Sequence, residues 1–73
     1  SDGHIMCIAG YRESSDEYLF LDSAGGSFIG DTSGYAWRKV DETTGKIYWK
    51  NSDGIEKSTK IKVNSGYELL RKG

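Results

Sequence analysis

The chain alternates short apolar runs with polar, glycine-bearing punctuation and nowhere keeps a helical period for more than two turns. "HIMCIAGY" (4–11) and "YLFLD" (18–22) are apolar at consecutive positions, the pattern of strands covered on both faces. "RESSDE" (12–17) between them is turn material. "YAWRKV" (35–40) and "KIYWK" (46–50) read as strands joined by "DETTG" (41–45), whose glycine suits the positive φ of a hairpin turn. "NSDG" (51–54) is a second strong turn signal. In "STKIKVN" (58–64), Thr59, Ile61 and Val63 alternate with Lys60, Lys62 and Asn64, as in an antiparallel strand with one wet face. "NSG" then turns the chain into "YELLRK" (67–72), a last short strand or a frayed helical turn. The pattern predicts an all-β domain of about six short strands in meander order. Such a chain forms a small antiparallel barrel or a strongly bent sheet, because curvature is what hides its edges.

One stretch interrupts this rhythm. "SAGGSFIGDTSG" (23–34) is rich in glycine and serine, with Phe28 and Ile29 as an apolar anchor inside it. A loop of this length in so small a domain is more often functional than decorative. It lacks the Lys-Ser/Thr ending and the following helix of a phosphate-binding loop, which removes that class.

Composition narrows the rest. Seventy-three residues make a single domain with a small core, spanning 1–73. The one cysteine, Cys7, cannot form an internal disulfide, and one cysteine with one histidine does not make an ordinary four-ligand zinc site. No metal and no cofactor is expected. No apolar stretch nears the roughly 18 residues that span a membrane, so no membrane partner is expected. The net charge of −1 is unevenly spread. Residues 1–34 carry one basic against six acidic side chains, and residues 35–73 carry nine basic against five acidic. That asymmetry suits either an anionic partner or two faces of a small sheet that attract each other.

Two residues suggest chemistry. A histidine acting as general base needs an acceptor on its second ring nitrogen to fix the tautomer and stabilise the imidazolium. The turn at 12–17 folds the first strand onto the second, so His4 at the start of one and Asp22 at the end of the other can meet at one end of the sheet. The plainer readings stand beside this one. In them residues 1–6 derive from a vector, and Asp22 is an ordinary turn residue before Ser-Ala-Gly-Gly. Cys7 has the opposite strand parity to His4 and sits among Met6, Ile8 and Ala9, which predicts a buried, inert thiol.

At these residues "GHIMCIAGY…YLFLDSAGG" resembles the C-terminal half of the papain-like cysteine peptidases, closest to the bacterial C39-type branch. "DSAGG" is similar to the Asp-Pro-Ala-Gly-Gly segment of those members, and "SGYAWRKV" resembles the Asn-Gly-Tyr strand that follows it. The resemblance covers roughly residues 3–40 and leaves 41–73 unmatched. It implies that His4 is the general base and Asp22 the residue that orients it. In that superfamily the nucleophilic cysteine lies upstream of the histidine, at the start of a helix. The chain would then be the β-subdomain of a peptide-bond hydrolase, a fragment inactive alone, whose partner is the missing N-terminal helical half.

The other reading is a non-catalytic β-barrel module that binds a peptide or protein. Tyr35, Trp37, Tyr48 and Trp49 lie near Arg38, Lys39, Lys46, Lys50, Lys60 and Lys62. Aromatic platforms with cations bind peptides or single-stranded nucleic acid. The net charge of −1 disfavours nucleic acid. Against an exposed platform, a domain this small needs its largest side chains inside, which predicts Trp37 and Trp49 as core residues paired across the 41–45 turn.

Overall fold

The computed structural model describes residues 6–22, 24–26 and 28–62, with residues 60–62 described by backbone alone. Five strands follow in chain order: β1 (Cys7–Arg12), β2 (Glu17–Leu21), β3 (Tyr35–Val40), β4 (Lys46–Lys50) and β5 (Glu56–Lys62). All neighbours are antiparallel and the spatial order is the chain order, β1-β2-β3-β4-β5. The domain is all-β, as the alternation predicts. Among the described residues the sheet is an open meander and does not close into a barrel. The sixth element expected at 67–72 lies outside the described residues, as does His4.

The bend comes from β3. Its first part pairs with β2, from Leu21↔Tyr35 to Tyr18↔Arg38. Its last two residues pair with β4, as Lys39↔Tyr48 and Val40↔Ile47. One strand therefore serves two half-sheets that diverge along its length. β1 adds a bulge at Ala9, where the register with β2 shifts between Ile8 and Gly10, and bulges increase local twist.

The two later hairpins are closed by side chains that take over main-chain hydrogen bonds. Asp41 Oδ1 accepts from the N–H of Thr43 at 2.8 Å, and Gly45 N–H donates to the Asp41 carbonyl at 2.6 Å. Asn51 repeats the device: its Oδ1 accepts from Asp53 and Ile55 N–H, both at 2.9 Å, and its carbonyl accepts from Gly54. Asp and Asn are favoured in turns because they can close such rings. In the β1–β2 turn, Asp16 holds a positive φ of 54°. Its carboxylate accepts from the Tyr11 hydroxyl at 2.8 Å.

The core lies on one face of the sheet. Tyr18, Phe20, Ala36 and Ile47 are buried there, with Met6, Ile8, Tyr11, Val40 and Trp49 around them. The fifth buried residue is Ile29, fully enclosed although it belongs to the long loop. The loop is a plug: its apolar anchor completes a core that five short strands cannot fill. Two glycines allow it to lie this close. A Cβ on Gly26 would sit 1.7 Å from the Asp31 carbonyl oxygen, and one on Gly30 would sit 2.4 Å from the Trp49 ring. Both adopt positive φ, 78° and 70°.

Gly54 also has positive φ but faces open space. Gly54→Ala is therefore expected to cost about 1 kcal/mol, the backbone penalty alone. Gly30→Ala adds the clash with Trp49 and should cost about 2–4 kcal/mol. Urea unfolding of the two variants measures the difference, and equal costs would contradict a loop packed on Trp49.

Candidate functional site

Asp22 follows the last residue of β2 and is 2% exposed. Its backbone N–H donates to the Gly34 carbonyl at 2.6 Å, and its Oδ1 accepts from Ala24 N–H at 2.9 Å. It thus ties both ends of the 23–34 loop together. A Cβ on Gly34 would stand 2.9 Å from the Asp22 carbonyl, which keeps that neck narrow. The carboxylate is held rigidly and kept from solvent, the condition for an orienting group. It lies at the end of the sheet where Cys7 opens β1 opposite Leu21. His4, the other sequence-derived site residue, falls outside the described residues.

Cys7 departs from expectation. The thiol predicted to be buried is exposed. The register explains why: Cys7↔Leu21 and Leu21↔Tyr35 put Cys7 in a row with Leu21 and Tyr35 on the face away from the core. The apolar pattern of β1 suggested cover on both faces; among the described residues the core cluster lies against one of them. Leu21 is 39% and Tyr35 55% exposed in that row.

The two tryptophans do not pair. The β3–β4 register sets Trp49 on the side of Arg38, and Arg38 stands over the Trp49 ring at 4.7 Å from its centroid. Trp37 points to the opposite face, half-buried, where Arg12 stands over its ring at 4.2 Å. Each ring also rests on a glycine, Trp37 near Gly10 and Trp49 on Gly30. Only Trp49 reaches the core, at its margin. An arginine of this chain already occupies a ring face at each tryptophan, the surface a nucleobase would use for stacking.

Arg38 is the residue that the sequence reading placed in a basic cluster without a separate role. Its Nε donates to the Ile29 carbonyl at 2.9 Å and its Nη1 to the Trp37 carbonyl at 3.0 Å. Desolvation by burial lowers its pKa from the ordinary value, while Asp31 and Glu17 act against that; a guanidinium stays charged throughout. A signal was present in "YAWRKV": an arginine at a core-facing position of a strand needs built-in acceptors. Ser33 was missed as well. Its hydroxyl lies 2.7 Å from Asp31 Oδ1 and 3.0 Å from the Tyr35 carbonyl and has a single proton to give to one or the other, covering the β3 edge that β4 leaves. No group of three or more His, Cys, Asp or Glu positioned for a metal occurs among the described residues.

Two outcomes follow from these contacts. Arg38→Gln should cost about 2–3 kcal/mol, since it breaks charged hydrogen bonds to two carbonyls, whereas Arg12→Gln, at an exposed ion pair, should cost under about 1 kcal/mol. Denaturant melts give both values. The Ser33 hydroxyl, then the Ser33 N–H, lower the pKa of Asp31. A depressed folded pKa stabilises above the unfolded value of about 3.9, and that stabilisation disappears as pH falls through the folded pKa. Asp31→Asn should accordingly lower the melting temperature at neutral pH and make little difference near pH 2; an equal effect at both would rule out the charge as its cause.

Set beside family models, curated proteins and solved structures, the chain matches none of them, so the chemistry of the site rests on these residues alone.

Proposed function

We propose that the chain is the β half of a papain-like cysteine peptidase, in which Asp22 orients His4 as general base and the nucleophilic thiol comes from outside residues 1–73. The observation that carries this reading is Asp22 itself: a carboxylate 2% exposed, fixed by a main-chain N–H, at the end of the sheet where β1 begins. In the reaction the thiol would give its proton to His4 and attack a peptide carbonyl, and His4 would return the proton to the leaving amine. Asp22 would hold the imidazole in the tautomer this requires. Cys7 is not the thiol: it faces away from the core in line with Leu21 and Tyr35.

A second reading, a binding module without catalysis, draws on the outer face. Leu21 and Tyr35 expose apolar surface side by side there. Exposed contiguous apolar surface marks interaction sites.

One titration separates the two. The imidazole of His4 is followed by NMR against pH in the chain and in Asp22→Asn, where the amide can still accept from Ala24. On the peptidase reading His4 titrates above the unperturbed value of about 6.5 and falls towards it when the charge is removed. A histidine that titrates at the unperturbed value in both proteins ends that reading and leaves the module.

A further inference from the structure

The sheet divides into two units of unequal strength. β1, β2, the 23–34 loop and β3 are tied to one another along their length. Arg38 Nε holds the Ile29 carbonyl, Asp22 closes the loop neck on Gly34, and the Lys39 ammonium reaches the Ser15 carbonyl in the β1–β2 turn. β4 and β5 form the second unit, a hairpin paired from Lys50↔Glu56 to Lys46↔Lys62 and closed by Asn51.

Among the described residues the two units meet along a short seam. Asp41 N–H donates to the Lys46 carbonyl, and in this antiparallel ladder Lys39 and Tyr48 form the next hydrogen-bonding pair. Pairing goes no further than Lys39↔Tyr48, although β3 runs back to Tyr35 and β4 on to Lys50. Off the ladder, Ile47 enters the core cluster, and the Trp49 ring packs under Arg38 and beside Gly30. The hydrogen bonds from Arg38 to Ile29 and Trp37 are internal to the first unit, so of these contacts only its stacking on Trp49 spans the seam.

We propose that the β4–β5 hairpin is a lid, which opens as one unit about the 41–45 turn while β1, β2, the loop and β3 remain folded. Three strands with a covered face hold by themselves, whereas a lone two-stranded hairpin is marginal in water, so the hairpin is the part that leaves. Sub-global opening takes first the region with the fewest contacts to the rest. The event removes Ile47 from the core cluster and frees the β3 edge at Lys39. That leaves apolar surface beside an unpaired strand edge, the form in which a sheet accepts a further strand. The opening is independent of the peptidase reading, because Asp22 and its bonds to Gly34 and Ala24 lie in the part that stays folded.

The test is native-state hydrogen exchange on the ¹⁵N-labelled full chain, in urea below the unfolding transition. The Lys39 and Tyr48 amides report the seam. Phe20 and Ala36, the hydrogen-bonding pair two residues along the ladder from Asp22 and Gly34, report the first unit. The seam amides should be protected at least about tenfold less than the core pair. They should follow one common urea dependence, shallower than that of the core pair but above zero. Tyr11→Phe breaks the bond to Asp16, which lies inside the first unit and survives the opening. It should therefore speed exchange of Phe20 and Ala36 about fivefold and leave Lys39 and Tyr48 unchanged. Equal protection and one urea dependence for both groups would overturn the proposal, since the sheet then opens as a whole. So would seam amides whose exchange ignores urea, which is fraying, or Tyr11→Phe moving both groups alike.

Discussion

The structure depends on one guanidinium. Arg38 sits where β3 passes from β2 to β4, and three parts of the fold meet on it. Its Nε holds the carbonyl of Ile29, the loop residue that fills the core. Its Nη1 holds the carbonyl of Trp37, the point at which the β4 ladder fails. Its flat face covers Trp49. A chain of this size cannot bury many large side chains, so it cannot let a strand diverge without something to satisfy the main chain that divergence exposes. Arginine meets that need because its donors lie in one rigid plane, matched to two carbonyls while the plane itself stacks. Lysine, a single point donor, could not make the same three contacts.

The long loop follows from this constraint. Ile29 must reach the core beside Phe20 and Ile47, and the main chain must carry its carbonyl to Arg38. Gly26 and Gly30 permit the path, the first by letting the Asp31 carbonyl approach and the second by lying flat on Trp49. Asp22 closes the loop at its neck. A loop fixed at its neck by a carboxylate and at its tip by an arginine is part of the core, although its composition reads as solvent-exposed turn. Asp22 is therefore structural whatever else it does, and a catalytic duty would be added to that one.

Much of the fold was legible in the alternation and the turn chemistry. "DETTG" and "NSDG" marked both later hairpins, because Asp41 and Asn51 close their own turns with side-chain oxygens. Four strands were visible to within a few residues, as apolar or alternating runs between such turns, and β5 began two residues early, at Glu56. What could not be read was which faces receive cover. "HIMCIAGY" and "YLFLD" are apolar on both faces, yet among the described residues the core cluster covers one of them, and Cys7 and Leu21 come out exposed. Nor does composition reveal that β3 would be shared between half-sheets, because a shared strand and an ordinary central strand have the same pattern. That sharing separates Trp37 from Trp49 and turns an expected aromatic pair into two arginine-capped rings on opposite faces.

The charge asymmetry takes its meaning from the same geometry. The acidic first half supplies β1, β2 and the loop, and the basic second half supplies β3 to β5. Where the two halves meet, opposite charges touch the same elements: Lys39 reaches the β1–β2 turn at Ser15, while Asp31 and Glu17 both favour the charged form of Arg38. Part of the imbalance is thus consumed inside the fold.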